Sequence, residues 1–250
     1  MGPKKIAIFI VAYNAESTLK SVIDRVPPEV LDKIEEIFVF DDHSQDRTYD
    51  IGLEYKELKK LGKLNVFRNE KNLKYGGNQK KGYAYALSKG YDIVALLHGD
   101  GQYAPEFLPQ LLEPLEKDEA DMVFGSRMTG KPLKGGMPLY KYLGNKFLTT
   151  IQNFLLGTKF SEFHSGYRLY SCNALKKVPF DLCSDDFHFD TDIIVQFLNK
   201  NMRIVERPIP TFYGDEISHV NSIKYGLNVL KSVLGFKLHR LGLLRAKKFR

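Results

Sequence analysis

Cysteine is scarce in this sequence. Only Cys172 and Cys183 occur among the 250 residues, and their separation matches no zinc-binding spacing. We therefore expect two buried thiols, no disulfide framework and a reducing compartment such as the cytoplasm. Long apolar runs are missing as well, because no stretch reaches the length of a transmembrane span. The apolar run near the N-terminus is short, and we interpret it as a buried strand rather than a signal peptide.

Two common phosphate-binding motifs are also missing. No loop ends in the GKS or GKT of a Walker A sequence, and the G-x-G-x-x-G fingerprint of dinucleotide-binding proteins is absent. A P-loop or a standard dinucleotide fold is therefore disfavoured. The composition shows no low-complexity bias, with 43% hydrophobic and 27% charged residues. A chain of this length suits one large α/β domain followed by a tail.

Positive charge is in excess. The net charge of +7 indicates an anionic partner, which can be a nucleotide diphosphate, a lipid phosphate, a membrane surface or nucleic acid. Nucleic acid fits least, because the basic residues concentrate in the tail and no nucleic-acid motif is present. The tail, residues 223–250, interleaves leucines at helical spacing with lysines and arginines, as in helices that lie on anionic membranes. A docking helix with a solvated charged end is the alternative. We therefore divide the chain into a domain at residues 1–222 and this basic amphipathic tail.

Apolar runs alternate with helical patterns along the chain. The runs at residues 6–12, 37–40, 64–67, 93–97, 122–125 and 203–209 predict strands, the last at a sheet edge because it ends in proline. Helices are predicted at residues 17–26, 105–117 and 140–156, the last with Lys141, Asn145 and Lys146 on its polar side. Pro27-Pro28 predicts a helix break followed by an acidic linker. The alternation indicates an α/β fold with a Rossmann-like mixed sheet flanked by helices.

The central apolar run, residues 93–97, stops abruptly at His98-Gly99-Asp100-Gly101-Gln102. Ligand sites of open α/β sheets lie at such strand ends, and the glycines let the backbone approach a ligand closely. His98, Asp100 and Gln102 stand on alternate residues, so they can point metal ligands to one side. The segment therefore predicts a metal-diphosphate site, with an ordinary Gly-Asp turn as the alternative.

Six polar segments follow one another along the chain. They are VAYN at 11–14, FDDHSQDRT at 40–48, NLKYGG at 72–77, HGDGQ at 98–102, GSR at 125–127 and SGYR at 165–168. Taken in this order, they resemble the signatures of family-2 inverting glycosyltransferases of the GT-A fold. The resemblance is greatest to the dolichyl- or polyprenyl-phosphate sugar transferase branch. It spans about residues 6 to 221.

The resemblance implies a set of ligand-binding residues. A nucleoside-diphosphate sugar would be bound by Ala12, Tyr13, Asn14, Asp41, Asp42, Asn72, Gly77, Gly99, Asp100, Lys141 and Arg168. A divalent ion, Mn²⁺ or Mg²⁺, would be held by His98, Asp100 and Gln102 and would neutralise the leaving diphosphate. Arg127 and Lys141 would face phosphate charge, although each taken alone is equally a surface cation.

Two acids and one arginine are the predicted catalytic residues. Asp192 falls where the family has an acid beside the active site, Asp190 lies two residues earlier, and Arg127 completes the set. A hydroxyl acceptor needs a general base such as a carboxylate, whereas a phosphate acceptor is already ionised and needs only orientation. Asp192 is the predicted base or acceptor-positioning residue, and the alternative for it is an acid stabilised by the dipole at a helix N-terminus.

The chain departs from the family pattern at several positions. His98 replaces the first acid of the metal motif, Val11 replaces a usual proline, and Ala15 a usual glutamate. The late basic signature is replaced by residues 214–219, with His219 near the position of a phosphate-binding lysine. Imidazole suits manganese and similar metals, so we expect a preference for Mn²⁺ if His98 is a ligand. If His98 bonds only to neighbouring backbone, it never meets the metal.

The leading functional prediction is transfer of a sugar, with inversion, from a nucleotide sugar to a lipid phosphate or to a glycan or glycolipid hydroxyl. A sugar nucleotidyltransferase shares the architecture, but its first strand is usually followed by a Gly-rich basic loop, and here that loop is Tyr13-Asn14-Ala15-Glu16. A non-catalytic nucleotide-sugar-binding or membrane-associated scaffold is the third possibility. We expect the protein in the cytoplasm, peripherally at the membrane face.

Overall fold

A computed structural model describes residues 2–211 and 221–249. The strands are β1 (Ile6–Ala12), β2 (Ile34–Asp41), β3 (Leu64–Arg68), β4 (Ile93–His98), β5 (Met122–Ser126), β6 (Arg168–Ser171) and β7 (Ile204–Pro208). The helices are α1 (Leu19–Asp24), α2 (Pro28–Lys33), α3 (Thr48–Lys59), α4 (Lys74–Lys89), α5 (Leu108–Glu116), α6 (Leu139–Leu156), α7 (Cys172–Leu175), α8 (Phe189–Asn199) and α9 (Ser222–Arg240). None of these helices combines the length and apolarity that crossing a bilayer requires.

The strands form one mixed sheet in the order β3-β2-β1-β4-β6-β5-β7. β6 runs antiparallel to both of its neighbours, and every other pairing is parallel. The carboxyl ends of β1 to β5 and of β7 therefore meet at one edge of the sheet, where β6 begins. The predicted mixed sheet is confirmed, and so is the edge position of β7.

Both faces of the sheet are covered by helices. Ile8 and Ile10 of β1 pack into a core with side chains from α1, α3 and α5. Phe9, between them, packs into a second core with side chains from α4 and α8, because successive strand residues point to opposite faces. A strand covered on both faces is apolar at nearly every position, which is why the strands were visible as continuous runs in the sequence.

Some predicted element bounds are wrong. The acidic stretch after Pro27 is helix α2 rather than a linker, since proline is well tolerated at the first helical position, here Pro28. Helix α4 begins at Lys74, so it includes most of the polar segment at residues 72–77. In the C-terminal segment, α9 packs against α6 and α8, and Phe249 is buried in a small core with Val233, an arrangement that fits the docking-helix alternative.

Candidate functional site

The predicted nucleotide-binding segments meet at the carboxyl edge of the sheet. Ala12 pairs with Asp41, and Val11 pairs with His98. Just past the paired residues, the Asp42 N–H donates to the Ala12 carbonyl at 2.8 Å, and the Gly99 N–H donates to the Val11 carbonyl at 2.8 Å. Three segments that are far apart in sequence therefore end side by side.

The loops after β1 and β2 are joined by hydrogen bonds. Asn14 adopts a left-handed conformation with φ 51°, and its N–H donates to Ser44 Oγ at 2.8 Å. Its side-chain oxygen accepts from the Gln45 N–H at 2.9 Å. The Ala15 N–H donates to Thr48 Oγ1 at 2.7 Å. The two loops form one unit, from which the Tyr13 ring projects with 46% of its surface exposed.

Asp41 and Asp42 are buried and already hydrogen-bonded. Burial raises the pKa of the Asp41 carboxyl, and the hydrogen bonds from Ser44 oppose that rise in part. Asp42 Oδ1 accepts from Asn69 Nδ2 and from the Leu73 N–H, both at 2.8 Å. These acids shape the loops of the site, because their oxygens are committed to neighbouring protein groups.

The two glycines that precede Asn78 allow a close contact between α4 and the segment before α8. The Asp185 carbonyl accepts from the N–H groups of Gly76, at 2.8 Å, and Gly77, at 3.3 Å. A Cβ on Gly76 would lie 2.3 Å from the Ser184 carbonyl oxygen, so no larger residue fits there. Asn72 completes this turn, since its side-chain oxygen accepts from the backbone N–H two residues later at 2.9 Å.

His98, the last residue of β4, stands between two tyrosine rings. Its ring centroid is 4.9 Å from that of Tyr103 and 5.6 Å from that of Tyr75, both edge-on. Its Nε2 lies 3.5 Å from Tyr75 Oη. Burial lowers the pKa of His98, although the carboxylates of Asp100 and Asp190 oppose the shift. The imidazole is therefore neutral near pH 7.

Asp100 and Gln102 follow in a turn that is partly open to solvent. Gly101 has φ 76°, and the Gln102 N–H donates to Asp100 Oδ1 at 3.0 Å. Within residues 2–211 and 221–249, no group of three or more His, Cys, Asp and Glu side chains is placed to hold a metal ion. The protein therefore offers few ligands of its own at this strand end.

Arg127 follows β5 and forms a buried ion pair with Glu162. The carboxylate of Glu162 is completely buried and accepts from the Arg127 N–H at 2.8 Å and from Nε at 3.1 Å. Asn145 Nδ2 of α6 donates to the same carboxylate at 2.8 Å. Burial alone would raise the pKa of Glu162, but the Arg127 charge and hydrogen bonds outweigh it and lower the pKa. Arg127 is thus held in place by the carboxylate.

The two predicted acids of α8 lie in different environments. Asp190 Oδ2 accepts from Tyr75 Oη at 2.8 Å, and its buried Oδ1 lies 3.6 Å from Arg168 Nη1 in an ion pair. Asp190 therefore borders the group formed by Tyr75 and His98. Asp192 points elsewhere: its carboxylate accepts from the Ser184 N–H, from the hydroxyl of Ser232 in α9 and from Lys248 Nζ at 2.9 Å. Those contacts anchor the C-terminal segment to α8.

Arg168 lies behind the site. Its side chain is completely buried and donates to the carbonyls of Ser165 and Phe163, both at 2.9 Å, and to the carbonyl of Asp190. Its guanidinium therefore fixes the loop before β6 and does not reach the surface. Lys141 lies in the first turn of α6, partly buried. The segment 214–219, with His219, falls outside the described residues.

Three residues of this site were not among the site residues predicted from the sequence. Tyr75 and Tyr103 enclose His98, and the Tyr103 hydroxyl accepts from the Gly166 N–H at 2.7 Å. Glu162 neutralises Arg127 from a position 35 residues later in the chain. A small pocket opens nearby, between α9 and the residues before α8, and includes Phe187, which stacks on Tyr75 at 5.2 Å.

A mixed sheet of this kind, flanked by helices and with polar segments gathered at one edge, is the arrangement of GT-A glycosyltransferases. The chain belongs to Glycosyl transferase family 2, whose model matches residues 7–179. The predicted family is therefore confirmed, and with it the prediction that the protein is an enzyme of the glycosyltransferase class. The match favours this class over a nucleotidyltransferase or a non-catalytic scaffold.

Curated relatives point to one branch of the family. The UDP-N-acetylglucosamine–dolichyl-phosphate N-acetylglucosaminyltransferase of Methanococcus voltae is 30% identical over 99% of both chains. The polyprenol monophosphomannose synthase of Mycolicibacterium smegmatis is 28% identical over 86% of this chain and 79% of its own. These names bear out the predicted polyprenyl-phosphate branch. Glucosyl-3-phosphoglycerate synthase from Mycobacterium tuberculosis shares the fold, with a TM-score of 0.70 at 16% identity over 97% of this chain and 80% of its own.

Proposed function

We propose that the protein transfers a sugar, with inversion, from a nucleoside-diphosphate sugar to a polyprenyl phosphate, or to a glycan or glycolipid hydroxyl. One observation carries the proposal. A single edge of the sheet holds the segments around Asn14, Asp42, Asp100 and Arg127. The Methanococcus voltae relative, which matches this chain over 99% of both lengths, is named for transfer from a nucleotide sugar to dolichyl phosphate.

The donor is proposed to bind across the loops after β1, β2 and β4. The exposed Tyr13 ring offers a stacking surface for a nucleobase, and the backbone of Gly99 can approach the diphosphate closely. The buried acids Asp41 and Asp42 hold these loops in shape. Solved structures of the Mycobacterium tuberculosis synthase contain UDP or UDP-glucose with Mn²⁺ or Mg²⁺, which supports a nucleotide sugar and a divalent ion here.

The residues at the end of β4 fit a divalent ion that is bound mainly by the phosphates of the substrate. Asp100 supplies a carboxylate and Gln102 an amide oxygen, while His98 is neutral and able to ligate through nitrogen. A small ion such as Mg²⁺ is often bound by one or two carboxylates together with substrate phosphates and water. Bound there, the ion would neutralise charge on the leaving diphosphate.

The acceptor is proposed to bind beside Asp190, Tyr75 and His98. An acceptor oxygen attacks the anomeric carbon from the face opposite the diphosphate, the bond from that carbon to the diphosphate oxygen breaks, and the nucleoside diphosphate leaves with the electron pair. A lipid phosphate is already ionised and loses no proton in this step. For a hydroxyl acceptor, Asp190 is the proposed base, because Tyr75 orients its carboxylate beside the site.

Arg127 and Lys141 are proposed to face phosphate charge. Arg127 is oriented by Glu162, and Lys141 lies in the first turn of α6, the helix that Asn145 ties to the same carboxylate. Arg168 and Asp192 are proposed to act indirectly, by supporting the loops around the site. Asp192 remains the alternative acid, and its contacts with Ser232 and Lys248 favour the structural role.

We place the protein peripherally at the cytoplasmic face of a membrane, where a lipid acceptor is found. In the C-terminal segment, Leu227, Leu241 and Leu243 expose more than half of their surfaces beside lysines and arginines. That segment is proposed to contribute to membrane contact. Its far end is anchored, since Phe249 is buried and Lys248 pairs with Asp192.

Titration of the purified protein with UDP- and GDP-sugars tests the donor assignment. The proposal predicts that one nucleotide sugar binds, and that a divalent ion strengthens its binding. Asp100→Asn should lose the metal effect while keeping the circular dichroism spectrum of the wild type. If no nucleotide sugar binds with or without Mn²⁺ or Mg²⁺, the donor assignment is wrong.

A further inference from the structure

Tyr225, near the start of α9, extends to the candidate site. Its Oη lies 2.8 Å from His164 Nδ1, and the two rings meet edge-on with 5.5 Å between their centroids. Burial raises the pKa of the Tyr225 hydroxyl, and the Asp190 carboxylate raises it further. The guanidinium groups of Arg168 and Arg127 oppose that rise. The hydroxyl therefore keeps its proton and lies within electrostatic reach of the charged groups of the site.

His164 is linked to Arg127 through its backbone. Its carbonyl accepts from Arg127 Nη2 at 3.2 Å, and the carboxylate of Glu162, two residues earlier, accepts from the same guanidinium. Two residues after His164, Gly166 packs so closely on the His98 ring that an added Cβ would lie 2.7 Å from His98 Cε1. The segment 162–166 therefore places His164 between Arg127 and His98.

The proton of the His164 ring can be assigned to one nitrogen. Burial lowers the pKa of His164 to about 4, so the imidazole is neutral near pH 7 and carries a single N–H. Among the described residues, nothing forms a hydrogen bond with its buried Nε2. A buried N–H without a partner is rarer in proteins than a buried acceptor without one. The proton therefore belongs on Nδ1, which donates to Tyr225 Oη.

This assignment leaves the hydroxyl proton of Tyr225 available. A phenol can both accept and donate, and the bond with His164 uses it as an acceptor. Within residues 2–211 and 221–249, the Tyr225 hydroxyl has no second hydrogen-bond partner. Space lies beside the ring, because Tyr225 and Phe187 line the pocket of about 130 Å³, and Phe187 stacks on Tyr75 of the site. The hydroxyl can therefore donate to a ligand.

We propose that the Tyr225 hydroxyl donates a hydrogen bond to the phosphate of a lipid-phosphate acceptor. Ionised phosphate oxygens only accept hydrogen bonds, so they match a hydroxyl whose own oxygen is already engaged by His164. A hydrogen bond to an ionised oxygen is roughly twice as strong as one between neutral groups, so this contact favours a phosphate over an alcohol. The inference rests on the proposed transfer to a lipid phosphate. It makes Tyr225 a substrate-binding residue and His164 its positioning residue.

Titration calorimetry with geranyl phosphate and with geraniol, in the absence of a nucleotide sugar, tests this assignment. The full-length wild type should bind the phosphate more tightly than the alcohol. Tyr225→Phe should weaken binding of the phosphate about tenfold and leave binding of the alcohol unchanged, because only the charge-assisted bond is lost. Tyr55→Phe is the matched control and should bind like wild type, since the buried Tyr55 donates to Asp24 between α1 and α3.

Two variants of His164 test its positioning role. His164→Leu removes the Nδ1 donor and should weaken binding of geranyl phosphate, whereas His164→Asn keeps an N–H donor and should restore most of it. Added to Tyr225→Phe, His164→Leu should cost little more, because both substitutions act through one hydroxyl. In steady-state assays, Tyr225→Phe should raise the KM for the lipid phosphate and leave the KM for the nucleotide sugar unchanged.

The proposal is overturned if wild type does not prefer geranyl phosphate, if Tyr225→Phe binds it like wild type, or if that variant loses affinity for geraniol to the same extent. Should Tyr225→Phe lose the circular dichroism spectrum of the wild type, equal binding by His164→Leu and His164→Asn overturns it instead. Phosphate binding that depends on Tyr225, without sugar transfer to a lipid phosphate, contradicts the proposed function alone. Sugar transfer that Tyr225→Phe leaves unchanged contradicts this inference alone.

Discussion

Replacing Glu162 with glutamine should destabilise the protein strongly. The glutamate side chain is completely buried, and that of Arg127 is 14% exposed. Its carboxylate accepts from the backbone N–H, Nε and Nη2 of Arg127 and from Asn145 Nδ2. Glutamine removes the buried negative charge and turns an NH₂ group toward those donors. Removing one partner of a buried ion pair costs about 3–5 kcal/mol, a large part of the stability of a typical domain.

The matched control is Glu106→Gln. Glu106 pairs with Arg25 at 2.8 Å, but the two side chains are 49% and 37% exposed. An exposed pair contributes about 0–1 kcal/mol, so the same substitution should change little there. Urea unfolding at pH 7, followed by circular dichroism, gives both free energies of unfolding. Equal losses in the two variants would refute the assignment of Glu162 as the buried support of the site.

The difference between wild type and Glu162→Gln should also depend on pH. The folded protein lowers the pKa of Glu162 below its ordinary value of 4.5, so the ionised form stabilises the fold. That contribution is fully present above about pH 4.5 and is lost as the pH falls through the lowered pKa. Unfolding curves between pH 3 and 7 measure it. A difference that grows toward acid pH would contradict the direction of the shift.

The remaining predictions concern the reaction. Asp100→Asn should reduce sugar transfer by about 100-fold or more, equal to about 2.7 kcal/mol, with an unchanged circular dichroism spectrum, and near-normal turnover would remove Asp100 from the metal site. His98→Asp should improve activity with Mg²⁺ relative to Mn²⁺, because a carboxylate suits magnesium better than imidazole does, and identical metal preference in the two proteins would show that His98 is not a ligand. Asp190→Asn should lower turnover and also the melting temperature, because it removes the buried carboxylate that lies 3.6 Å from the Arg168 guanidinium. Asp192→Ala should lower the melting temperature while the folded protein keeps its turnover, since it removes the acceptor of Ser232 and Lys248. Loss of turnover in folded Asp192→Ala, with normal turnover in Asp190→Asn, would make Asp192 the acid of the site.

The fold was largely predictable because its strands are buried on both faces. Continuous apolar runs such as the one ending at Leu97 predict a strand that is buried between two layers of helices. The polar segments after these runs were predictable as a group for the same reason, since parallel strands end at one edge. Helix α2 was missed because Pro28 was interpreted as a breaker, although proline also begins helices.

The roles of individual polar residues were less predictable. Asp190 and Asp192 are two positions apart, and on a helix such residues point in nearly opposite directions, so the tertiary packing of α8 decides which one borders the site. Glu162 shows no local pattern, because its partner Arg127 is 35 residues earlier in the chain. The buried position of Asn145 depends on the same pair, because its sequence pattern is that of a surface residue and only the contact with Glu162 explains its burial.

Sugar transfer to a lipid phosphate is the most direct test of the central claim. The purified protein is incubated with Mn²⁺ or Mg²⁺, radiolabelled nucleotide sugars and a polyprenyl phosphate, and the organic phase is counted. The account predicts a lipid-linked sugar whose anomeric configuration is opposite to that of the donor, formed by wild type and lost in Asp100→Asn. A product that retains the donor configuration, or equal transfer by wild type and Asp100→Asn, would contradict it.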